Sequence, residues 1–391
     1  FNLKNPSKSL IKVKKTLSFL QTFSSVKRDF LKANIIAITG SSGKTTAKTI
    51  LGKILQEFHP TYFSPKSFNN NYGVPLSLSN IEKNHESGVL EVGMSKAGEI
   101  NYLTKIIKPD IGVITNVAEA HIENFKNIYF IAKAKGEIID NIKDNGFLIL
   151  NRDDKFFKYF LSKAKARKLR VTTFGSSKYS DINIKKLNIF DNKQKILFKI
   201  KNNYHEITSK IINPYSIAIS LAVLQILNID FKKAIKFIKN IEPLEGRGKT
   251  YLIQRYKKKF KLIDETYNAN PFSVKNAIKN LSKTNNYNSK KYVLISDMLE
   301  LGKKSDFYHK DLSNVINNTD IDKVFVYGKK ILNTYKNIKK EKRGNILQNK
   351  NDFDEIFSNV INKNDILMIK GSNAMGLNLI TKKLIKESNA I

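Results

Sequence analysis

A glycine-containing loop between an apolar run and a helical pattern is the clearest chemical signal in the sequence. Residues 35–46 read Ile-Ile-Ala-Ile-Thr-Gly-Ser-Ser-Gly-Lys-Thr-Thr. The glycines allow backbone N–H groups to turn toward an anion, Lys44 can reach the β- and γ-phosphates, and the Thr45 hydroxyl can bind Mg²⁺. Ile38 stands where the full Walker pattern has its first glycine, so the loop is a variant. The predicted phosphate-binding residues are Gly40, Ser41, Ser42, Gly43, Lys44, Thr45 and Thr46.

Further polar residues follow other apolar runs and are candidates for a metal site. Glu91 comes at the end of one such run, and His121 comes shortly after another. A carboxylate, an imidazole and the Thr45 hydroxyl can together hold one or two Mg²⁺ ions around a phosphate. Taken alone, Glu91 also fits a solvated acid at a strand end, and His121 also fits a surface or capping histidine. The combination favours the metal site.

The elements that must position these residues alternate between strand and helix patterns. Residues 89–93 and 111–116 are short apolar runs that end in polar residues. Ligands of an open parallel sheet sit at the carboxyl ends of its strands, so these ends should meet the phosphate loop. Residues 178–207 alternate around a polar turn at 191–194, which predicts an antiparallel meander. Residues 214–240 return to a helical pattern.

We predict an α/β protein of three segments. Residues 1–31 are a linker helix or the remnant of an N-terminal domain, with a targeting presequence as the alternative. Residues 32–245 form a central P-loop ATPase domain with a parallel sheet. The Gly-Arg-Gly run at 246–248 marks the boundary to residues 246–391, a C-terminal Rossmann-like α/β domain. Its predicted strands are residues 260–264, 291–296, 322–327 and 365–370.

Composition narrows the functional class. The 391 residues include no cysteine, which excludes disulfides, thiolate metal sites and a cysteine nucleophile and suits a reducing compartment. No apolar run approaches the ~20 residues of a membrane span. The formal net charge of +35 invites nucleic-acid binding, but the lysines are spread along the whole chain. We therefore expect neither a nucleic-acid nor a membrane partner.

Seven motifs of the sequence are specific in combination. They are Thr-Gly-Ser-Ser-Gly-Lys-Thr-Thr at 39–46, Asn-Asn-Asn-Tyr-Gly-Val-Pro at 69–75, Glu-Val-Gly at 91–93, Asn-Val-Ala-Glu-Ala-His at 116–121, Ala-Lys-Gly-Glu at 134–137, Tyr-Asn-Ala-Asn-Pro at 267–271 and Asp-Met-Leu-Glu-Leu-Gly at 297–302. Together these motifs resemble the Mur ligase family, from about residue 30 to the C-terminus. Those at 267–271 and 297–302, with His309, point to the member that acts on D-alanyl-D-alanine and a UDP-N-acetylmuramoyl-tripeptide.

The resemblance implies a monomeric, cytoplasmic, ATP- and Mg²⁺-dependent amide ligase of peptidoglycan precursor synthesis. A substrate carboxylate would take the γ-phosphoryl group, giving an acyl-phosphate and ADP, and the dipeptide amine would then displace phosphate. Lys135 matches the lysine that is carbamylated in related ligases and could help hold a second Mg²⁺; a plain surface lysine is the alternative. The implied roles are catalysis by Lys44, Lys135, His121 and Arg247, metal binding by Thr45, Glu91, His121 and Lys135, nucleotide contacts from Asn213, Arg247, Asp264 and Glu265, and substrate contacts from Asn69, Asn70, Asn116, Asn268 and Asn270.

Three features depart from the family pattern. Glu265 replaces the second acid of an Asp-Asp pair, and Ile212 and Ser216 replace a histidine and an asparagine on the adenine side. The family's N-terminal domain, which grips the UDP end, is expected to be mostly missing. The alternatives are another amino-acid or polyglutamate ligase of the superfamily, a non-catalytic relative, and a basic P-loop ATPase stimulated by nucleic acid.

Overall fold

The computed structural model describes residues 12–190, 193–210, 213–284 and 289–388. Its strands form two sheets, one of nine strands and one of six, and helices cover both. The α/β class, the central parallel sheet and the second α/β unit are therefore confirmed. The domain limits at residues 31 and 245 stay a prediction.

The first sheet carries the phosphate loop. Its strands are β1 (Asn34–Thr39), β2 (Thr61–Phe63), β3 (Ser87–Glu91), β4 (Ile111–Ile114), β5 (Phe147–Asn151), β6 (Arg170–Gly175), β7 (Ile182–Phe190), β8 (Lys193–Ile200) and β9 (Asn203–Ser209). The order is β2-β3-β1-β4-β5-β6-β7-β8-β9. Because β1 pairs in parallel with both β3 and β4, Thr39, Glu91 and Ile114 end at the same edge. Strands β7 to β9 are antiparallel, which confirms the meander; turn residues 191–192 lie outside the described residues.

Helices pack on both faces of this sheet, which explains the apolar run of β1. Ile36 and Ile38 pack with α2 (Lys44–Gln56) and α7 (Pro214–Ile226) on one face, while Ile35 and Ala37 pack on the other. The predicted helical stretch 214–240 is two helices, because the chain turns at Asn228 with φ +55°. The helices are α1 (Thr16–Phe30), α2 (Lys44–Gln56), α3 (Gly73–Ser79), α4 (Glu99–Ile107), α5 (Ile128–Gly136), α6 (Phe157–Ala166), α7 (Pro214–Ile226) and α8 (Phe231–Ile238).

The second sheet has the order β10-β11-β15-β12-β13-β14. Its elements are β10 (Lys249–Arg255), β11 (Lys258–Glu265), α9 (Pro271–Ser282), β12 (Lys291–Ser296), α10 (Ser305–Asn317), β13 (Lys323–Tyr327), α11 (Leu332–Asn337), β14 (Arg343–Leu347), α12 (Lys350–Glu355), β15 (Ile366–Lys370) and α13 (Leu377–Ser388). The four predicted strands are present as β11, β12, β13 and β15. The outer strands β10 and β14 were not predicted.

The first described helix is tied to the central domain. Arg28 of α1 is buried, and its guanidinium lies 2.7 Å from the Asp110 carboxylate and also donates to the carbonyl of Ile107. Residues 1–11 of the predicted linker lie outside the described residues. Within the described part of the chain, no helix combines the length and apolar character needed to cross a membrane.

Candidate functional site

The turn between β1 and α2 has the geometry of an anion site. Gly40 has φ +146°, and a Cβ added there would lie 1.8 Å from Thr115 Oγ1, so no side chain fits. Gly43 is the left-handed residue that begins α2, with φ +81°. The first N–H groups of a helix have no partner within the helix, and the helix dipole is positive at that end. Backbone and dipole together therefore favour a bound phosphate.

The segment after β4 holds the loop in shape. Asn116 accepts a 3.0 Å hydrogen bond from the N–H of Ser42 and donates a 3.1 Å bond to the Ser42 carbonyl. Thr115 Oγ1 donates to the same carbonyl, and Ser41 Oγ donates to the carbonyl of Ala118. The structure thus places Asn116 as a support of the phosphate loop. A substrate contact from it stays a prediction.

A buried carboxylate meets the loop hydroxyl. Thr45 Oγ1 donates a 2.7 Å hydrogen bond to Glu91 Oε2, and Asn69 Nδ2 donates a 2.8 Å bond to Glu91 Oε1. Glu91 is only 1% exposed, so it is not the solvated strand-end acid considered above. Lys44 Nζ donates to the carbonyl of Gly40 at 2.9 Å. Burial lowers the pKa of Lys44; the Glu91 carboxylate opposes this shift.

Lys135 lies on the inward face of α5, whereas Lys133 is exposed over the ring of Tyr129. Lys135 is only 3% exposed, so the alternative interpretation of it as a plain surface lysine is wrong. Its ammonium has no hydrogen-bond acceptor or carboxylate partner among the described residues. Burial, and then the positive charge of Lys44, lower the pKa of Lys135 well below its ordinary value. This favours a neutral amine, or a modification that makes the group anionic.

Arg247 reaches the phosphate loop from the other domain. Its Nη2 donates a 2.9 Å hydrogen bond to Thr45 Oγ1 and lies 3.4 Å from Ser67 Oγ. The guanidinium carbon lies 3.7 Å from the ring centre of Tyr267, whose hydroxyl donates a 2.5 Å bond to Ser67 Oγ. Thr45, Ser67, Arg247 and Tyr267 form one contact between the two domains, which we call the interdomain junction.

The acidic pair at 264–265 supports the segment that carries the arginine. Asp264 accepts hydrogen bonds from the N–H of Gly246 and from the N–H and hydroxyl of Thr266. Glu265 Oε2 lies 3.2 Å from the buried ammonium of Lys370. Both carboxylates therefore have partners within the C-terminal domain. Their predicted contact with the ribose is untested.

Four predicted asparagines are turn and cap residues along the same cleft. Asn70 and Asn268 accept hydrogen bonds from backbone N–H groups of their own turns. Asn213 caps α7 and Asn270 caps α9, and each is followed by a proline. An asparagine before proline is a helix-start signal that could have been recognised in the sequence. Their ligand contacts stay predictions, and Ile212 lies outside the described residues.

His121 lies at a second contact between the domains. It has a left-handed backbone, φ +57°, and its Nδ1 lies 2.8 Å from Glu300 Oε2. Glu123 N–H donates to the carbonyl of Glu300 at 3.3 Å. The close His121 imidazole lowers the pKa of Glu300. A metal role for His121 remains a prediction.

The donors at the loop fit Mg²⁺ in combination with phosphate oxygens. Across the described ranges, no three His, Cys, Asp or Glu side chains are grouped closely enough to hold a metal by themselves. Thr45 and Glu91 offer one hydroxyl and one carboxylate, both buried. Mg²⁺ usually takes one or two carboxylates together with substrate phosphates and water. The site therefore suits a metal that arrives with a nucleotide.

One cleft of about 1410 Å³ between the two domains is lined by the phosphate loop, Glu91, His121, Lys135 and Arg247. Two of its lining residues, Ser67 and Lys370, were not predicted, nor was the buried Lys48 behind the loop. Lys48 follows Lys44 by one helical turn among apolar residues, and this spacing could have predicted that Lys48 is buried. Ser67 and Lys370 have no local signal.

Comparisons with known proteins agree with the site. Residues 38–227 match the Mur ligase middle domain, and residues 251–373 match the Mur ligase, glutamate ligase domain. The UDP-N-acetylmuramoyl-tripeptide–D-alanyl-D-alanine ligase of Buchnera aphidicola subsp. Baizongia pistaciae is 34% identical over 390 residues, covering 96% of this chain and 80% of that protein.

Two solved structures share the fold. The structure of MurF ligase from Thermotoga maritima in complex with ADP has a TM-score of 0.83 and 25% identity, covering 99% of this chain and 88% of that one. The crystal structure of MurF from Acinetobacter baumannii has a TM-score of 0.86 and 24% identity, and the match covers 98% of this chain and 84% of that one.

Proposed function

As this chain belongs to the Mur ligase family, we propose that it joins D-alanyl-D-alanine to UDP-N-acetylmuramoyl-tripeptide while converting ATP to ADP and phosphate. One observation carries the proposal: Arg247 of one domain and the buried Glu91 of the other both bond to the Thr45 hydroxyl, at 2.9 and 2.7 Å. A phosphoryl group bound at that point would be surrounded by cations and by a metal-binding pair. The names of the relatives supply the substrates.

The first step is transfer of the γ-phosphoryl group to the tripeptide carboxylate. A carboxylate oxygen forms a bond to phosphorus while the bond to the ADP oxygen breaks. Lys44 and Arg247 offset the charge that is spread over the transferred group, and the start of α2 faces the remaining phosphates. The carboxylate itself is the nucleophile, so positioning and charge stabilisation are what the protein must provide.

Thr45 and Glu91 are the residues that would hold Mg²⁺ together with phosphate oxygens. When bound, the metal neutralises negative charge on the phosphates. Lys135 would join the site as a carbamate, because a neutral buried amine can add carbon dioxide, release a proton and become an anion. His121 is the predicted additional ligand; to bind a metal through Nδ1 it must release Glu300.

In the second step the dipeptide amine forms a bond to the acyl carbon, phosphate leaves, and the amine loses a proton. Closure of the two domains over the cleft keeps water from the acyl-phosphate. The interdomain junction stands at the mouth of the phosphate loop and so links closure to chemistry. Because ATP and UDP-linked sugars are its substrates, we place the reaction in the cytoplasm.

Incubation of the purified protein with ATP, Mg²⁺, UDP-N-acetylmuramoyl-tripeptide and D-alanyl-D-alanine tests the proposal. We expect ADP to be released in step with a product whose mass equals the two substrates minus water. Tripeptides with lysine or diaminopimelate in third position should be compared. ADP release that requires DNA or RNA would instead support the nucleic-acid-stimulated ATPase. A product formed with a single amino acid would support another ligase of the superfamily.

A further inference from the structure

Lys48 is a buried cation that the reaction scheme above does not use. It lies one turn after Lys44 in α2 and is 1% exposed. Its ammonium donates hydrogen bonds to the backbone carbonyls of Ser64 and Lys66. No carboxylate forms an ion pair with it among the described residues. The partners of this buried charge are thus two backbone oxygens of a single short segment.

That segment, residues 64–71, leaves β2 and crosses in front of the phosphate loop; we call it the clasped loop. Lys66 has a left-handed backbone, φ +44°, so the chain turns sharply where Lys48 holds it. Just beyond the turn, Ser67 Oγ lies 3.1 Å from Thr45 Oγ1 and belongs to the interdomain junction. Asn69, two residues further on, bonds to Glu91.

The energetics favour a positioning role over a space-filling one. Burying an ammonium costs free energy that an apolar side chain of similar length does not incur. A methionine would fill the same volume in the apolar face of α2. What the lysine adds is a pair of charge-assisted hydrogen bonds, which are stronger than hydrogen bonds between neutral groups. Both bonds act on the clasped loop and on nothing else.

We propose that Lys48 is a positioning residue that fixes the clasped loop so that Ser67 meets Thr45, Arg247 and Tyr267 when the two domains close. Lys48 touches no reacting group; it acts through the carbonyls of Ser64 and Lys66. The helix that carries the phosphate-binding lysine thereby also sets the position of the loop that receives the other domain. The kinetic part of this inference rests on the proposed ligase function, and the structural part does not.

The structural part is tested without substrate, by hydrogen exchange on Lys48→Met. The N–H groups of Ser64 and Phe68 are hydrogen-bonded to the carbonyls of Val89 and Pro65. We expect these amides to exchange at least about tenfold faster in Lys48→Met, since local opening loses two strong restraints. The matched control is Lys53→Met, an exposed lysine of the same helix, with unchanged exchange. Wild-type exchange in a folded Lys48→Met would overturn the proposal.

The kinetic part is tested by coupling to Ser67. Lys48→Met should lower kcat by about 10- to 100-fold, because small misplacements at a reacting site cost this much, and Ser67→Ala should lower it less. The double variant should be no slower than Lys48→Met, since both changes break the same junction. Losses that multiply would contradict the proposal, because a merely structural lysine acts independently of Ser67.

The role of Lys48 can still be tested if the wild-type protein is inactive or if Lys48→Met does not fold. If the wild-type protein makes no pentapeptide, the ligase function fails while the exchange comparison still decides the role of Lys48. If Lys48→Met does not fold, Lys48→Arg replaces it: arginine keeps donors for the two carbonyls, so the exchange of the Ser64 and Phe68 amides and the kcat should both stay close to wild type. A folded Lys48→Arg with wild-type exchange but a kcat as low as that expected of Lys48→Met would overturn the proposal, because the loss would then not act through the clasped loop.

Discussion

Arg247 Nη2 donates a 2.9 Å hydrogen bond to Thr45 Oγ1 across 202 positions of sequence. The guanidinium is stacked on Tyr267, and the N–H of the preceding Gly246 is held by Asp264. The arginine is therefore fixed on three sides by its own domain and by the phosphate loop. This arrangement makes it the residue through which domain closure can act on a bound phosphate.

Replacement of Arg247 by alanine should slow the chemistry with little loss of stability. We expect kcat for ADP release to fall by about 100-fold, since one charge-stabilising group is removed, while the melting temperature stays within a few degrees. Arg170→Ala, at the amino end of β6 and away from the cleft, is the control. Normal turnover with a large drop in melting temperature would show that Arg247 is structural.

Lys44→Ala should remove ADP formation while the fold persists. Lys44 occupies the first position of α2, where alanine is well tolerated, and its ammonium is the loop's cation. We expect a loss of at least about 100-fold in kcat, measured beside circular dichroism and thermal melting. A well-folded variant that still turns over would refute the assignment of the phosphate loop.

Lys135→Ala should lose most activity, and a small carboxylate should restore part of it. The buried amine feels the positive charge of Lys44 and has no acceptor among the described residues, so the active form is expected to be the carbamate. Acetate or formate can replace the missing anion in the shortened side chain. Lys133→Ala, exposed on the same helix, should be nearly silent. Equal loss of activity in Lys135→Ala and Lys133→Ala would count against the carbamate. So would an intact mass that shows unmodified Lys135 in wild type under carbon dioxide, if small carboxylates also fail to rescue Lys135→Ala.

Lys48 should make the stability of the fold depend on pH. Burial lowers its pKa from 10.5 to about 8. Between these values the unfolded chain holds a proton that the folded protein has released, so the free energy of unfolding rises with pH across this window. We therefore expect wild type to gain stability relative to Lys48→Met between about pH 8 and 10.5, in urea titrations at several pH values. If the difference in unfolding free energy between wild type and Lys48→Met did not change with pH, the pKa of Lys48 would be the ordinary one.

The sequence by itself determined the elements with a strong local pattern. The apolar run and glycines at 35–46 predicted strand, loop and helix, because sterics around glycine and burial of both faces of β1 act within a few residues. Helical spacing placed Lys135 inward and Lys133 outward. The family motifs indicated the activity. The outer strands β10 and β14 escaped prediction because an edge strand has polar residues on its open side and carries little periodic signal.

Only the tertiary structure decided how these parts meet. Three contacts join segments that are far apart in sequence. Arg247 bonds to Thr45, Ser67 lies against both, and Lys48 bonds to the clasped loop. The side chains of Asn116 and Asp264 bond to backbone groups of neighbouring turns, and their predicted ligand contacts stay predictions. Such choices depend on which buried donors and acceptors pair when the sheets pack, because most buried polar groups need a hydrogen-bond partner. Residue type and local spacing cannot specify that pairing.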